Sequence, residues 1–193
     1  MGAEPEGADR PQPWTVVEED DCGDFEMFRV RRLRARSPRD GSEHDFHVAE
    51  APDGVTVIAL TPDGRAVLVE QYRMGTRQAT LETPSGIVDE GERPEEAAAR
   101  ELREETGYGG GAGPEVIGSF QINPSWQRGR VYVAVARGVE RVGRKDQDAG
   151  EDTHVRLVPA ADLARMAAEG EIGSAAVIAA LALWRWREEG ARG

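Results

Sequence analysis

The stretch "GIVDEGERPEEAAARELREETGY", Gly86 to Tyr108, constrains this chain more than any other segment. It holds eight carboxylates and three arginines in 23 residues. Its first part is rich in turn formers, and from Pro94 onward it reads as a helix. Proline suits a first turn, where its missing N–H would have had no intrahelical partner. Glu95 and Glu96 suit the positive end of the helix dipole. Gly107 is the expected C-terminal cap, so the helix should end near Thr106.

Residues three and four apart share one helix face. Glu101, Glu104 and Glu105 therefore converge, and their like charges repel. Arg100, four residues before Glu104, offers partial pairing. Ala98 and Leu102 lie on another side and are available to a core. A solvated surface helix would scatter such acids or pair each with a base. Clustered carboxylates with oxygen-only chemistry suit hard cations, Mg²⁺ or Mn²⁺. The preceding loop, "TPSGIVDEGE", is placed to bring a backbone carbonyl to the same ions.

The formal net charge of −12 agrees with that reading. It opposes nucleic acid and anionic membrane surfaces. A phosphate-bearing substrate would need something positive between itself and the protein, for which divalent cations are the natural candidates. The 193 residues suit one domain, or one domain with a terminal addition. The single cysteine, Cys22, excludes an internal disulfide and fits a reducing compartment. Beside Asp20, Asp21 and Asp24 it is not expected to be a catalytic nucleophile. No run approaches the ~20 apolar residues of a membrane span. The opening "MGAEPEGADRPQP" lacks the apolar core of a signal peptide. A cytoplasmic protein is expected.

Along the chain, residues 1–12 read as a disordered tail. Residues 14–36 read as a strand pair turning near Asp21–Asp24, followed by a turn at 37–43 and a strand at 44–50. "VTVIAL" and "AVLVEQY" flank "TPDG" as a hairpin. Further strands are expected at 115–122, 130–139 and 153–159, and helices at 160–170 and 174–189 with Ser174 as N-cap. Strands and helices mix without strict alternation, which argues for an α+β, layered, mixed-sheet domain. His44, His47 and His154 share no metal-ligand spacing. Trp184 and Trp186 are expected in core or dimer packing.

Gly86, five residues, Glu92, seven residues, then Arg100-Glu101-Leu102-x-Glu104-Glu105-x-Gly107-Tyr108 resembles the Nudix box at all nine defining positions. The resemblance implies an α/β/α sandwich around a mixed sheet, with helices on both faces and the box as loop–helix–loop. It implies hydrolysis of a nucleoside diphosphate linked to another moiety. By position, Glu101 and Glu105 would be direct metal ligands, and Glu104 a ligand directly or through water. The carbonyl of Ser85 or Gly86 would be a further ligand. Arg100 would orient the glutamates, and Glu92 would brace the loop.

Outside the box the chain resembles the ADP-ribose pyrophosphatase branch of that superfamily, over about residues 14–187. In "VEQYRMGTRQATLETPSG", Arg73 and Glu82 correspond to that branch's arginine after Gln-aromatic and its glutamate before Pro-x-Gly. Arg73 would contact the diphosphate, because a guanidinium matches phosphate bidentately. Pro124, 16 residues beyond Tyr108, falls where the branch has a proline. Pro84-Ser85-Gly86 departs from the usual Pro-Ala-Gly. The branch places a catalytic glutamate in a loop after the box, here 140–152. Glu151 is the candidate base, with Asp148, Asp152 and Glu140 as alternatives. Branch members are dimers whose N-terminal strands complete the nucleotide site. Residues 13–50 are thus expected to serve dimerisation and 51–190 to form the hydrolase domain. Trp14 is a candidate base stacker with Phe25 or Phe28 opposite, or else an ordinary strand aromatic. The five arginines of 29–36 are either a wet strand face or a cation source near phosphate or ribose.

Overall fold

The computed structural model describes residues 10–146 and 152–191 and forms two compact units. One unit comprises the N-terminal residues to Ala51 together with Asn123–Arg128; the other comprises Pro52–Ile122 and Gly129–Gly193. Among the described residues no helix is long and apolar enough to cross a membrane.

In the N-terminal unit, β1 (Thr15–Asp24), β2 (Arg29–Arg36) and β3 (Glu43–Glu50) form an antiparallel meander. The turn lies at 25–28, slightly later than the sequence suggested, and Phe25 and Phe28 stack there at 5.4 Å. The arginines of β2 are flanked on both sides by acids. Arg32 bonds Asp20 and approaches Asp45 at 3.5 Å; Arg34 meets Glu18 at 3.4 Å and Asp45 at 3.0 Å. Arg31 meets Glu50 at 3.3 Å, and Arg36 meets Glu43 at 2.9 Å. This ladder pairs the arginines of 29–36 with acids of the neighbouring strands on both faces of β2. Cross-strand pairs of this kind favour one register, because a slip would separate each base from the acid opposite it.

The second unit is built on a seven-stranded mixed sheet. Its first strands are β4 (Gly54–Leu60) and β5 (Arg65–Arg73), joined at "TPDG", where Gly64 has φ 79°. They pair directly only at Ala59–Val67 and Leu60–Ala66, next to the turn. Beyond it they splay, and β6 (Gln78–Glu82) and β7 (Ser85–Ile87) fill the gap, β6 on β5 and β7 on β4. Thr56 Oγ1 and Thr83 Oγ1 share a buried hydrogen bond of 2.6 Å that ties β4 to the β6–β7 link. Helix α1 (Pro94–Thr106) follows. Then come β8 (Tyr108–Gly109), β9 (Pro114–Phe120), β10 (Gln127–Arg128), β11 (Val131–Arg137), β12 (Glu140–Arg141) and β13 (Thr153–Pro159). Of these, β10 joins β3 in the N-terminal unit, while β8 and β12 form a small separate pair. The sheet order is β13-β5-β4-β11-β9; β11 runs parallel to β4, and the other pairs are antiparallel. Helices α2 (Leu163–Ala168) and α3 (Ala175–Gly190) end the chain, α2 preceded by a single 3₁₀ turn.

Alternation along β4 assigns the layers. Val55, Val57 and Ala59 pack with Ala97, Ala98 and Leu102 of α1. Ile58 packs on the opposite face with Leu163, Met166, Leu181 and Trp184 from α2 and α3. Helices thus cover both sheet faces, as the resemblance implies. Trp184 is in this core, whereas Trp186 is exposed.

Helix α1 is defined at both ends. Pro94 opens it, Arg93 N–H donates to Glu96 at 3.1 Å, and Gly107 closes it with φ 74° and its N–H on the Arg103 carbonyl. Gly107 meets two constraints, since an added Cβ would come within 2.6 Å of the Gly143 carbonyl. Gly107→Ala should therefore cost roughly 1–3 kcal/mol. A denaturant melt checks this, and unchanged stability would refute it.

The β5–β6 pairing also makes an ion pair. Arg73 donates to both oxygens of buried Glu82 at 2.9 and 3.0 Å, and Thr80 adds a third bond at 2.6 Å. Burial pushes the Glu82 carboxyl up, but the bonds from Arg73 and Thr80 outweigh it and hold the group below the ordinary 4.5. A depressed carboxyl stabilises the fold above its unfolded value, and that contribution is lost as pH falls through the folded value. The stability gap between wild type and Glu82→Gln should then be present at neutral pH and shrink well below pH 4.5. Urea melts at both pH values decide it; a constant gap would contradict the linkage.

Candidate active site

Arg100 organises the site. A guanidinium carries five N–H donors, and here all five are used. Nε and one Nη2 hydrogen go to Glu92 at 3.0 and 2.9 Å. Nη1 donates to Glu101 at 2.7 Å and to Glu104 at 3.2 Å. The remaining Nη2 hydrogen reaches the Ile87 carbonyl at 2.9 Å. One side chain therefore joins the loop at Ile87 and Glu92 to two of the helix carboxylates. The hydrogen bond from Arg100 is the main cause holding Glu92 below the usual carboxylate range, and the Glu92 bond is the main cause raising Arg100.

The opposite edge of the site is backbone. Glu105 accepts the Ser85 N–H at 3.0 Å. Glu101 lies against Gly86, where an added Cβ would be 2.0 Å from its Oε1. The glycine is what lets the helix carboxylate reach the β7 backbone. Glu101 is 9% exposed and Glu105 3%, so neither is a solvated surface acid. Buried carboxylates are costly unless compensated, and Arg100 and the Ser85 N–H supply part of that compensation.

Among the described residues no three acidic, histidine or cysteine side chains already converge as a ligand cage. The donor chemistry nevertheless fits a hard divalent cation. Carboxylate oxygens line one helix face, two of the three glutamates are buried, and the glycine leaves a cradle that any Cβ would fill.

The other sequence candidates fall in several places. Arg73 and Glu82 are brought together by β5 and β6, the guanidinium fork closed on the carboxylate. Pro124 and Trp14 belong to the N-terminal unit. Trp14 meets His44 and Phe46 edge-on at 5.6 and 5.3 Å, is 43% exposed, and borders a cleft of about 700 Å³ with Arg10, Arg39, Asp40 and His44. Phe25 and Phe28 lie at the other end of the β1–β2 hairpin, so within one chain they do not face Trp14. Glu151 and Asp148 lie outside the described residues. Asp152 and Glu140 are exposed, Glu140 paired with Gly109 in β12–β8. Gln71, which in the sequence served only to place Arg73, stands on β5 opposite Thr80 and Thr153. Its sequence signal is a polar side chain two places beyond the apolar run Ala66–Val69, on the α1-facing side of the strand.

Known proteins place this architecture. The family model described as NUDIX domain matches residues 50–181. A methanol dehydrogenase activator of Bacillus methanolicus is 35% identical over 120 residues, covering 61% of this chain and 63% of that protein. An ADP-ribose pyrophosphatase of Mycobacterium tuberculosis is 33% identical over 155 residues, covering 79% of this chain and 74% of that protein. The match therefore spans under two thirds of the Bacillus protein's length and about three quarters of the mycobacterial one. A solved structure of an ADP compounds hydrolase superposes with TM-score 0.82 at 22% identity, covering 94% of this chain and 97% of that one, and so shares its fold. By its box, its fold and the family match over residues 50–181, this chain belongs to the Nudix family.

Proposed function

We propose that this protein hydrolyses the diphosphate bond of ADP-ribose or a related nucleoside diphosphate sugar, using Mg²⁺ or Mn²⁺. From ADP-ribose, addition of one water across the P–O–P link gives AMP and ribose 5-phosphate. The observation that carries this reading is the Arg100 network, which holds Glu101 and Glu104 on one helix face with their loop fixed to the helix. The similarity to a mycobacterial protein named ADP-ribose pyrophosphatase directs the choice of substrate.

In this proposal Glu101, Glu104, Glu105 and the Ser85 carbonyl hold the cation. When bound, it neutralises diphosphate charge and polarises the P–O bond. Arg100 fixes the rotamers of Glu101 and Glu104, so little reorganisation is needed on binding. Glu92 keeps the loop seated. Glu151 is the proposed base that takes a proton from the attacking water, with Asp148, Asp152 and Glu140 as alternatives. Arg73 is proposed to reach the diphosphate, with Glu82 fixing its fork. Trp14 and Pro124 are proposed to bound the base site, with a second copy of the chain supplying the Trp14 strand in a homodimer.

The test is a panel of ADP-ribose, other nucleotide sugars such as GDP-mannose, and dinucleoside polyphosphates, assayed with Mg²⁺ and with Mn²⁺ for released phosphomonoester. ADP-ribose should be turned over best. Glu101→Gln should lower kcat by more than about 100-fold, since even residues that only support a metal ligand cost roughly 10–100-fold. Its thermal stability should stay close to wild type. Near-normal turnover in Glu101→Gln would sink the mechanism. Preference for another substrate would move the assignment within the family, and tight binding without product would point to a nucleotide sensor.

A further inference from the structure

Two buried side-chain polar atoms lack a hydrogen-bond partner among the described residues, Trp184 Nε1 and Gln71 Nε2. The Trp184 ring belongs to the apolar layer under α2 and α3. Gln71 is different, because its strand register turns it toward the site.

On β5, Gln71 stands opposite Thr80 of β6 and opposite Thr153 of β13. Residues directly opposite in antiparallel strands share a sheet face. Thr153 donates from Oγ1 to the Glu105 carbonyl at 3.1 Å, so that face is turned to the last turn of α1. Two residues along β5 on the same face is Arg73, and two residues along β6 from Thr80 is Glu82. Gln71 therefore stands on a rigid strand, between the Glu105 end of the metal-site helix and the Arg73–Glu82 pair. The acceptors beside it have other donors: Glu82 takes Arg73 and Thr80, and Glu105 takes the Ser85 N–H.

A buried donor with no acceptor destabilises a fold, and native chains keep few of them. Where one persists beside a reactive site, function is the usual compensation. We propose that Gln71 is a substrate-binding residue, its amide N–H donating to a diphosphate oxygen of the bound nucleotide. This inference rests on the diphosphate-hydrolase reading above. A neutral amide suits the position: it donates to an anion, and unlike another arginine it would not compete with Arg73 for Glu82.

The test uses the full-length protein, wild type, Gln71→Met and Gln71→Glu. Met keeps the approximate shape and removes the donor. Glu is isosteric and adds a repelling charge, and it serves as a second probe should Met misfold. Thermal melts are run without ligand. Binding of ADP-ribose is measured by calorimetry in EDTA, and KM and kcat with Mg²⁺. Gln71→Met should melt no lower than wild type, because an orphaned donor has been removed. Its Kd and KM for ADP-ribose should rise about tenfold with kcat changed far less, and Gln71→Glu should bind more weakly still. Wild-type affinity in both variants overturns the role of Gln71 while leaving the hydrolase reading intact. A markedly lower melting temperature in Gln71→Met also overturns it, since the amide would then be holding the fold. A wild-type protein that neither binds nor cleaves ADP-ribose overturns the substrate reading, and the inference with it.

Discussion

The five hydrogen bonds of Arg100 are the constraint on which the rest of the site depends. They join the loop from Ile87 to Glu92 to a helix whose acids would otherwise repel. A lysine could not do this, because it has three donors on a point charge and no planar fork. With the loop fixed, Gly86 stays in contact with Glu101 and Ser85 stays bonded to Glu105. Two carboxylates are then held in a buried position by geometry set before any ligand arrives. Such preorganisation is what electrostatic catalysis requires, since groups that need not move lose nothing during the reaction.

The fold delivers the two halves of that site separately. The splay of β4 from β5 opens room for β6 and β7, which bring Glu82, Ser85 and Gly86 to the face covered by α1. Ala97, Ala98 and Leu102 fix the depth at which α1 packs. The sheet's other face, under α2 and α3, is closed by apolar side chains and contributes stability. The N-terminal unit solves a different problem. Its β2 arginines are paired with acids from both neighbouring strands, so the strand is specified by charge as much as by burial.

Much of this was legible in the sequence. The start of α1 at Pro94, its end at Gly107 and the shared face of Glu101, Glu104 and Glu105 follow from helix spacing and capping alone. The hairpin at "TPDG" and the strand at 153–159 were equally readable, because glycine punctuation and apolar runs are local signals. Three features were not. The splay of β4 and β5 depends on long-range pairing with β6 and β7, which no local pattern encodes. The acid partners of the β2 arginines come from β1 and β3, and only the register identifies them. In the sequence Gln71 served only to place Arg73; that it faces α1 is shown by Thr153, some eighty residues later, bonding to the end of that helix.

The central claim is that the α1 carboxylates hold a divalent cation. Titration of the full-length protein with Mn²⁺, followed by the loss of the free-ion electron paramagnetic resonance signal, tests it without reference to any substrate. The account predicts saturable binding in wild type and a large loss of affinity in Glu105→Gln, with the far-ultraviolet circular dichroism of the two proteins alike. Equal Mn²⁺ binding by the two proteins would contradict it.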